Sequence, residues 1–458
     1  MPKLVVDFTD LVEWFQLNNH VTGIQRVVRN VFAHREVFDR DDIVFAYRLR
    51  GDLSFRVLDK TLVYNLTNEE RLLFSCRAFV QLGAHAPAKP NVFQLVRAAF
   101  KKPKKIIPWI KGKIGTKFQI QNRISNLSAQ PSVPLSSTGL KYITIDSEDT
   151  ILVSGAFWLF HDTHYVIKKI KEDAGCKVIT ILYDLIPITH AHFIDQGFSQ
   201  MFKQQVDAML PINDKLLSIS HHVKNECIAY LKENDLPVVD IDVMPFGFGT
   251  EMDVSTTDDD EMRLKKWGLD GEAFALCVGT VEPRKNPGLL LKVWQMLDKK
   301  HGQKTPKLVF AGRKSVGVNW VFKEVRSHKG LKRSVKFLNS VGDSDLASLY
   351  RKSKIVIFPS LVEGWGLPVE EAISYGKHTL ASNATSIPEA GRDAPFYFDP
   401  MDPNPLFEEV DKCFSDQDYI REREKRVRVL GSVYAKEYTW ENSANQVLEM
   451  VGYGEQST

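Results

Sequence analysis

The sequence contains no run of about 18 apolar residues, so no segment of it is expected to cross a bilayer as a helix. No secretory h-region is recognisable; residues 3–8, KLVVDF, read as a strand, and the expected compartment is the cytosol. Cysteine is scarce and scattered. Cys76, Cys176, Cys227, Cys277 and Cys413 show no C-x-x-C spacing, and settings such as Ala275-Leu276-Cys277-Val278 suit small reduced core residues, not a metal site or a disulfide frame. No G-x-G-x-x-G follows a strand-like run, which argues against a dehydrogenase. Acid is missing altogether between residues 71 and 145, a span holding 13 Lys and Arg, so with a net charge of +3 the rest of the chain carries about −10.

What is present is ordinary for a soluble globular protein: 43% hydrophobic and 26% charged residues over 458 positions, too long for one core and so expected to form two domains. The most informative stretch is VIFPSLVEGWGLPVEEA, residues 356–372. Residues 355–358 are apolar and β-prone, as a strand covered on both faces should be. Pro359 and Ser360 end it, Glu363-Gly364-Trp365-Gly366 makes a turn, and Pro368 suits a first helical position. A glycine turn feeding a helix start offers unpaired N–H groups and the positive end of the helix dipole, an arrangement that suits a diphosphate. Carboxylates beside such a site need another partner, and vicinal sugar hydroxyls provide one. Glu363 and Glu371 thus point to a nucleotide sugar, whereas Glu370 alone reads as an acidic helix start.

The segment E-G-W-G-L-P-V-E-E resembles the E-x7-E signature of retaining glycosyltransferases of family 4, which have the GT-B fold. The resemblance implies an α/β protein of two doubly wound Rossmann-like domains facing a cleft, with a terminal helix packing back on the first. It implies that Glu363 reaches the donor hexose and Glu371 the nucleotide ribose. The expected boundaries are 1–252 for an acceptor-binding domain, 253–437 for a nucleotide-sugar domain with the hinge in acidic residues 253–261, and 438–458 for the returning helix.

In the first domain, residues 4–8 form a strand with Asp7, Thr9 and Asp10 at its end, and Gly23 precedes a helix over 24–32. Gly23 is a candidate cleft residue. The insertion at about 95–140 contains KKPKKIIPWIKGKIGTK, whose lysines alternate with Ile106, Ile107, Trp109, Ile110 and Ile114. Residues 97–123 suit an anionic membrane surface or a solvated insertion; nucleic acid is not expected, since no nucleic-acid module accompanies them. Regular alternation then gives strands at 151–153, 178–182, 216–218 and 241–244. Tyr183-Asp184-Leu185-Ile186-Pro187 follows the second of these and resembles a family segment that begins with histidine. Strand ends face ligands in open α/β sheets, so Tyr183 and Asp184 are expected at the cleft, Asp184 against the acceptor hydroxyl. Ser220-His221-His222 opens a helix, with the histidines read as surface or capping groups.

The second domain restarts at 274–278 and continues through Gly279-Thr280-Val281-Glu282-Pro283-Arg284-Lys285-Asn286 into a helix. This G-T-x-E-P-R-K-N run resembles that of mannosyltransferase-like members. Arg284 and Lys285 would offset charge on a departing diphosphate without a metal or other cofactor. Gly279 and Thr280, together with Gly312-Arg313 after a strand at 308–311, join Gly364, Trp365, Gly366 and Leu367 as donor-binding candidates. The resemblance implies hexose transfer with retention from a nucleotide sugar, GDP-mannose first and UDP- or dTDP-sugars next, to a lipid-linked or growing surface glycan such as O-antigen or capsule. A nucleotide-sugar hydrolase or epimerase and a non-catalytic glycan-assembly scaffold are the competing readings.

Overall fold

A computed structural model describes residues 1–17, 23–32, 37, 39–49, 51–64, 141–249, 259–315 and 317–454. The basic insertion, Cys76 and the greater part of the expected hinge lie outside these residues.

Two sheets organise the chain. The first contains β1 (Leu4–Asp7), β2 (Ile43–Tyr47), β3 (Arg56–Val57), β4 (Thr150–Val153), β5 (Lys177–Leu182), β6 (Lys215–Ser218) and β7 (Asp240–Val243), in the order β3-β2-β1-β4-β5-β6-β7. All neighbours are parallel except β2 and β3. The second contains β8 (Phe274–Val278), β9 (Lys307–Ala311), β10 (Val335–Leu338), β11 (Ile355–Phe358), β12 (Thr379–Ser382) and β13 (Phe396–Phe398), in the order β10-β9-β8-β11-β12-β13 and parallel throughout. β1, β4, β8 and β11 are buried along their whole length, which explains why their sequences read as apolar runs and not as an alternation, with polar residues only at the strand ends Asp7 and Thr150.

In each sheet the strand order reverses beside the first strand, between β1 and β4 and between β8 and β11. Crevices open at such switch points, beyond the carboxyl ends of the strands. The loops after β1, β4, β8 and β11 are therefore the ones positioned to hold ligands.

The acidic run expected to be hinge is partly something else. Asp259, Asp260 and Glu261 form the first turn of the helix Asp259–Lys266, where acid favours the dipole. Asp260 is fully buried against Arg351, so this turn is anchored in the second lobe. The chain passes back to the first lobe at its far end. Val427 and Tyr434 of the helix Gln417–Glu437 pack in the second lobe, whereas Ala444, Val447 and Leu448 of the helix Trp440–Met450 complete the core of the first. The outgoing and returning segments touch: the Phe248 amide donates to the Tyr438 carbonyl (2.6 Å), and the Trp440 indole N–H to the Gly249 carbonyl (2.7 Å). Among the described residues no helix is long and apolar enough to cross a membrane.

Candidate active site

β8 and β11 deliver their loops side by side. After β8, Pro283–Lys285 forms one 3-10 turn, and Asn286 in the left-handed region starts the helix Pro287–His301, its side chain accepting from the Leu289 amide. This turn aims Arg284 and Lys285 at the loop after β11. Glu363 receives both: Lys285 Nζ lies 2.8 Å from Oε1 and Arg284 Nη1 2.6 Å from Oε2. Arg284 also pairs with Glu282 (2.7 Å) and donates to the Val362 carbonyl (3.1 Å). Lys285 further lies 4.8 Å from the centre of the Phe358 ring, with its stem against Gly279. Burial alone would raise the Glu363 carboxyl pKa, but the charges of Arg284 and Lys285 outweigh it and bring the value down to about 2. Arg284 is held above its ordinary value, Glu363 and Glu282 overcoming the cost of burial.

The loop carrying Glu363 is braced from the turn after β12. The Glu363 amide donates to Thr385 Oγ1 (3.1 Å), and Ser386 Oγ lies 2.8 Å from the Glu363 carbonyl and 2.9 Å from that of Trp365. Gly366, at φ +144°, turns the chain into the helix Leu367–Ser374. Gly364 has a different constraint. A Cβ there would stand 2.3 Å from the Tyr183 carbonyl and 3.1 Å from Asp184 Cβ, so only glycine allows this approach of the second lobe to the first. Trp365 stacks on Phe246 at 4.5 Å between ring centres and, with Leu367, packs against the first lobe's core. The expected donor loop is thus also an interlobe surface.

Across the cleft Asp184 follows β5. Its carboxylate accepts from the Ile186 amide (3.1 Å). Burial pushes its pKa up to about 6; Arg284 and the Ile186 amide pull the other way, and Glu363 adds to the rise. Tyr183 requires a correction. Its side chain is 3% exposed and its hydroxyl donates to the Ser154 carbonyl (2.6 Å), so it points into the first lobe's core and not into the cleft. The alternation of a strand continues one residue past its end, which puts Tyr183 and Asp184 on opposite sides.

The remaining candidates divide. Gly279 and Gly312 meet where the β8 and β9 ends adjoin: a Cβ on Gly312 would lie 2.0 Å from the Gly279 carbonyl. Thr280 is half-buried beside them. Arg313 contributes its carbonyl to the Val281 amide (2.8 Å), but its side chain is exposed and is not gathered at Glu363. Gly23, at φ +50° with open space around it, precedes the helix Ile24–Phe32. Glu371 accepts from Tyr350 (2.7 Å) and pairs with Arg26 of the first lobe. Glu370 is buried beside Arg392 (3.4 Å), and burial raises its pKa to about 8 against the pull of that guanidinium.

Sequence reading left several groups without a role. Asp10 is buried after β1, accepts from Gln25 (3.0 Å), and has its pKa raised by burial to about 6. Glu389 reaches over the cleft to the first turn of the helix His221–Glu233, accepting from the amides of His221 (2.7 Å) and His222 (2.9 Å). Among the described residues one group could hold a metal ion: His378, Glu409 and Cys413. It is buried under β12, and Glu409 there already accepts from Tyr419 (2.7 Å) and bonds His378 (2.8 Å).

Residues 259–429 match the family described as Glycosyl transferases group 1. An O-antigen chain mannosyltransferase B of Escherichia coli is 33% identical over 187 residues, 40% of this chain and 47% of that protein. A serotype-specific mannosyltransferase WbdA of E. coli is 27% identical over 299 residues, 64% of this chain and 36% of its own length. The chain thus spans less than half the length of these curated relatives. Two solved structures superpose over nearly everything: Anabaena HepE in complex with UDP-glucose (TM-score 0.58, 12% identity, 98% of this chain and 99% of that one) and a sucrose-phosphate synthase from Thermosynechococcus elongatus (0.57, 14%, 98% of each). At such identities the likeness is one of fold. The two parallel-sheet lobes are a GT-B fold, and the second of them, residues 259–429, is a group 1 glycosyltransferase domain.

Proposed function

We propose that this chain moves a hexose, with retention, from a nucleotide sugar to a hydroxyl of a growing or lipid-linked surface glycan, with GDP-mannose as the donor. The observation that carries the reading is the convergence of Lys285 and Arg284 on Glu363, at the β8–β11 switch point and facing Asp184. Two cations beside one carboxylate leave guanidinium and ammonium protons available to a diphosphate, and they would stabilise the charge on the leaving group. Glu363 takes the hexose hydroxyls, Glu371 the ribose, and Asp184 the acceptor hydroxyl. The departing phosphate accepts the acceptor's proton on the same face, which preserves the anomeric configuration.

Mannose is favoured by the E. coli relatives, whose names specify mannosyl transfer. UDP-sugars are the second reading, favoured by HepE, which binds UDP-glucose in the same fold.

The test is incubation with GDP-mannose, UDP-glucose or dTDP-rhamnose and a mannan oligosaccharide acceptor, with NMR of the new anomeric centre. Transfer from GDP-mannose with an α linkage, unchanged by EDTA, supports the proposal. An inverted product, release of free mannose alone, or loss of activity in EDTA refutes the corresponding part. An exclusive preference for UDP-glucose would replace the donor assignment.

A further inference from the structure

The helix Ile24–Phe32 buries Val27, Val28 and Val31 in the first lobe. Arg26 leaves its opposite side and crosses to the second lobe, where its Nη1 meets Glu371 Oε1. Tyr350 donates to the other oxygen, Oε2, at 2.7 Å. Both carboxylate oxygens are therefore engaged. The guanidinium side chain is 14% exposed and that of Glu371 7%. Burial opposes the charge on Arg26, but Glu371 and Asp343 hold its pKa above the ordinary value. The void beside the pair, between Gly249 and Leu367, has a volume of about 10 Å³, room for about one water. On the other flank Glu389 clasps the His221 and His222 amides, so two carboxylates of the second lobe are held by the first.

We infer that Arg26 is a gate on the nucleotide subsite, a first-lobe cation that competes with the ribose hydroxyls of a nucleoside diphosphate for Glu371. The inference rests on Glu371 as the ribose carboxylate in the proposed function. Hydroxyls are neutral donors and form weaker bonds to a carboxylate than a guanidinium does. A nucleoside alone therefore displaces Arg26 poorly. A nucleoside diphosphate does so because its phosphates gain Arg284 and Lys285 in compensation. Arg26 in this way selects for the diphosphate and ties nucleotide entry to separation of the lobes.

The experiment is calorimetric titration of GDP and UDP, and of guanosine and uridine, into wild type, Arg26→Ala, Arg26→Gln and Glu371→Gln. Arg26→Gln keeps the stem and a neutral donor, which guards against failure of the alanine variant to fold; circular dichroism verifies each. Removing the competitor should tighten the preferred diphosphate about tenfold and the matching nucleoside at least as much, and small-angle scattering should show a larger radius of gyration without nucleotide. Weaker or unchanged binding by a folded Arg26 variant overturns the gate. Glu371→Gln should weaken binding. If it does and Arg26→Gln does not tighten binding, only the gate fails. If Glu371→Gln leaves binding unchanged, the ribose assignment fails and the gate with it.

Discussion

Lys285 Nζ stands 2.8 Å from Glu363 Oε1, a contact between residues 78 positions apart that joins the loops of β8 and β11. With Arg284 it keeps the carboxylate ionised, and it restrains the lysine near Gly279. The pair is 14% and 11% exposed, so its strength is little diluted by solvent.

Lys285→Ala should lower kcat by roughly 10²-fold or more, the usual loss for one contact to developing charge, with a smaller change in donor KM. Arg284 remains on Glu363, so the variant should still fold. Steady-state kinetics with circular dichroism checks this; full turnover in the variant would remove Lys285 from leaving-group stabilisation.

Asp184 titrates near pH 6 because burial opposes its charge. If the ionised carboxylate holds the acceptor hydroxyl, kcat/KM for the acceptor should rise as pH climbs through about 6. Asp184→Asn should lose that limb of the profile and most of the activity. A variant with the wild-type profile would assign the titration to another group.

Glu370 holds its proton in the folded chain up to about pH 8, whereas an unfolded glutamate releases it near 4.5. Between those values the folded state binds more protons, so stability should fall as pH rises from about 4.5 to about 8 and level off beyond. Glu370→Gln should flatten this slope and raise the melting temperature at pH 8 relative to wild type. Thermal denaturation across that range decides the matter, and parallel curves would show that Arg392 keeps Glu370 ionised.

Tyr183→Phe removes a buried hydroxyl bonded to the Ser154 carbonyl. A loss of about 1 kcal/mol in stability is expected, with acceptor KM unchanged within twofold. A tenfold rise in that KM would return Tyr183 to the cleft.

Local chemistry made much of the site legible. The strand, glycine turn and proline-started helix around Glu363 are encoded within residues 355–374, and β8 with its cations within 274–286. β11, β8 and the helix Ile24–Phe32 fall where hydrophobic pattern places them. What stayed hidden was pairing at a distance. Arg26 and Glu371 are separated by 345 residues, Glu389 and His221 by 168, and neither pair has a local signature. Sequence reading also assigned Arg284 and Lys285 to phosphate alone, because nothing along the chain reveals that both meet Glu363 first. Tyr183 was misplaced for a simpler reason: a strand-end position was credited to two neighbours whose side chains point opposite ways.

Among the described residues, the segments that leave and re-enter the first lobe run side by side, and the Phe248–Tyr438 bond ties them edge to edge. A single tether would let the lobes swivel and twist freely. A doubled one acts like a strip of cloth bound along a book's spine, free to fold about one line and stiff against torsion. The two lobes should therefore separate and re-engage in the same alignment each time they open.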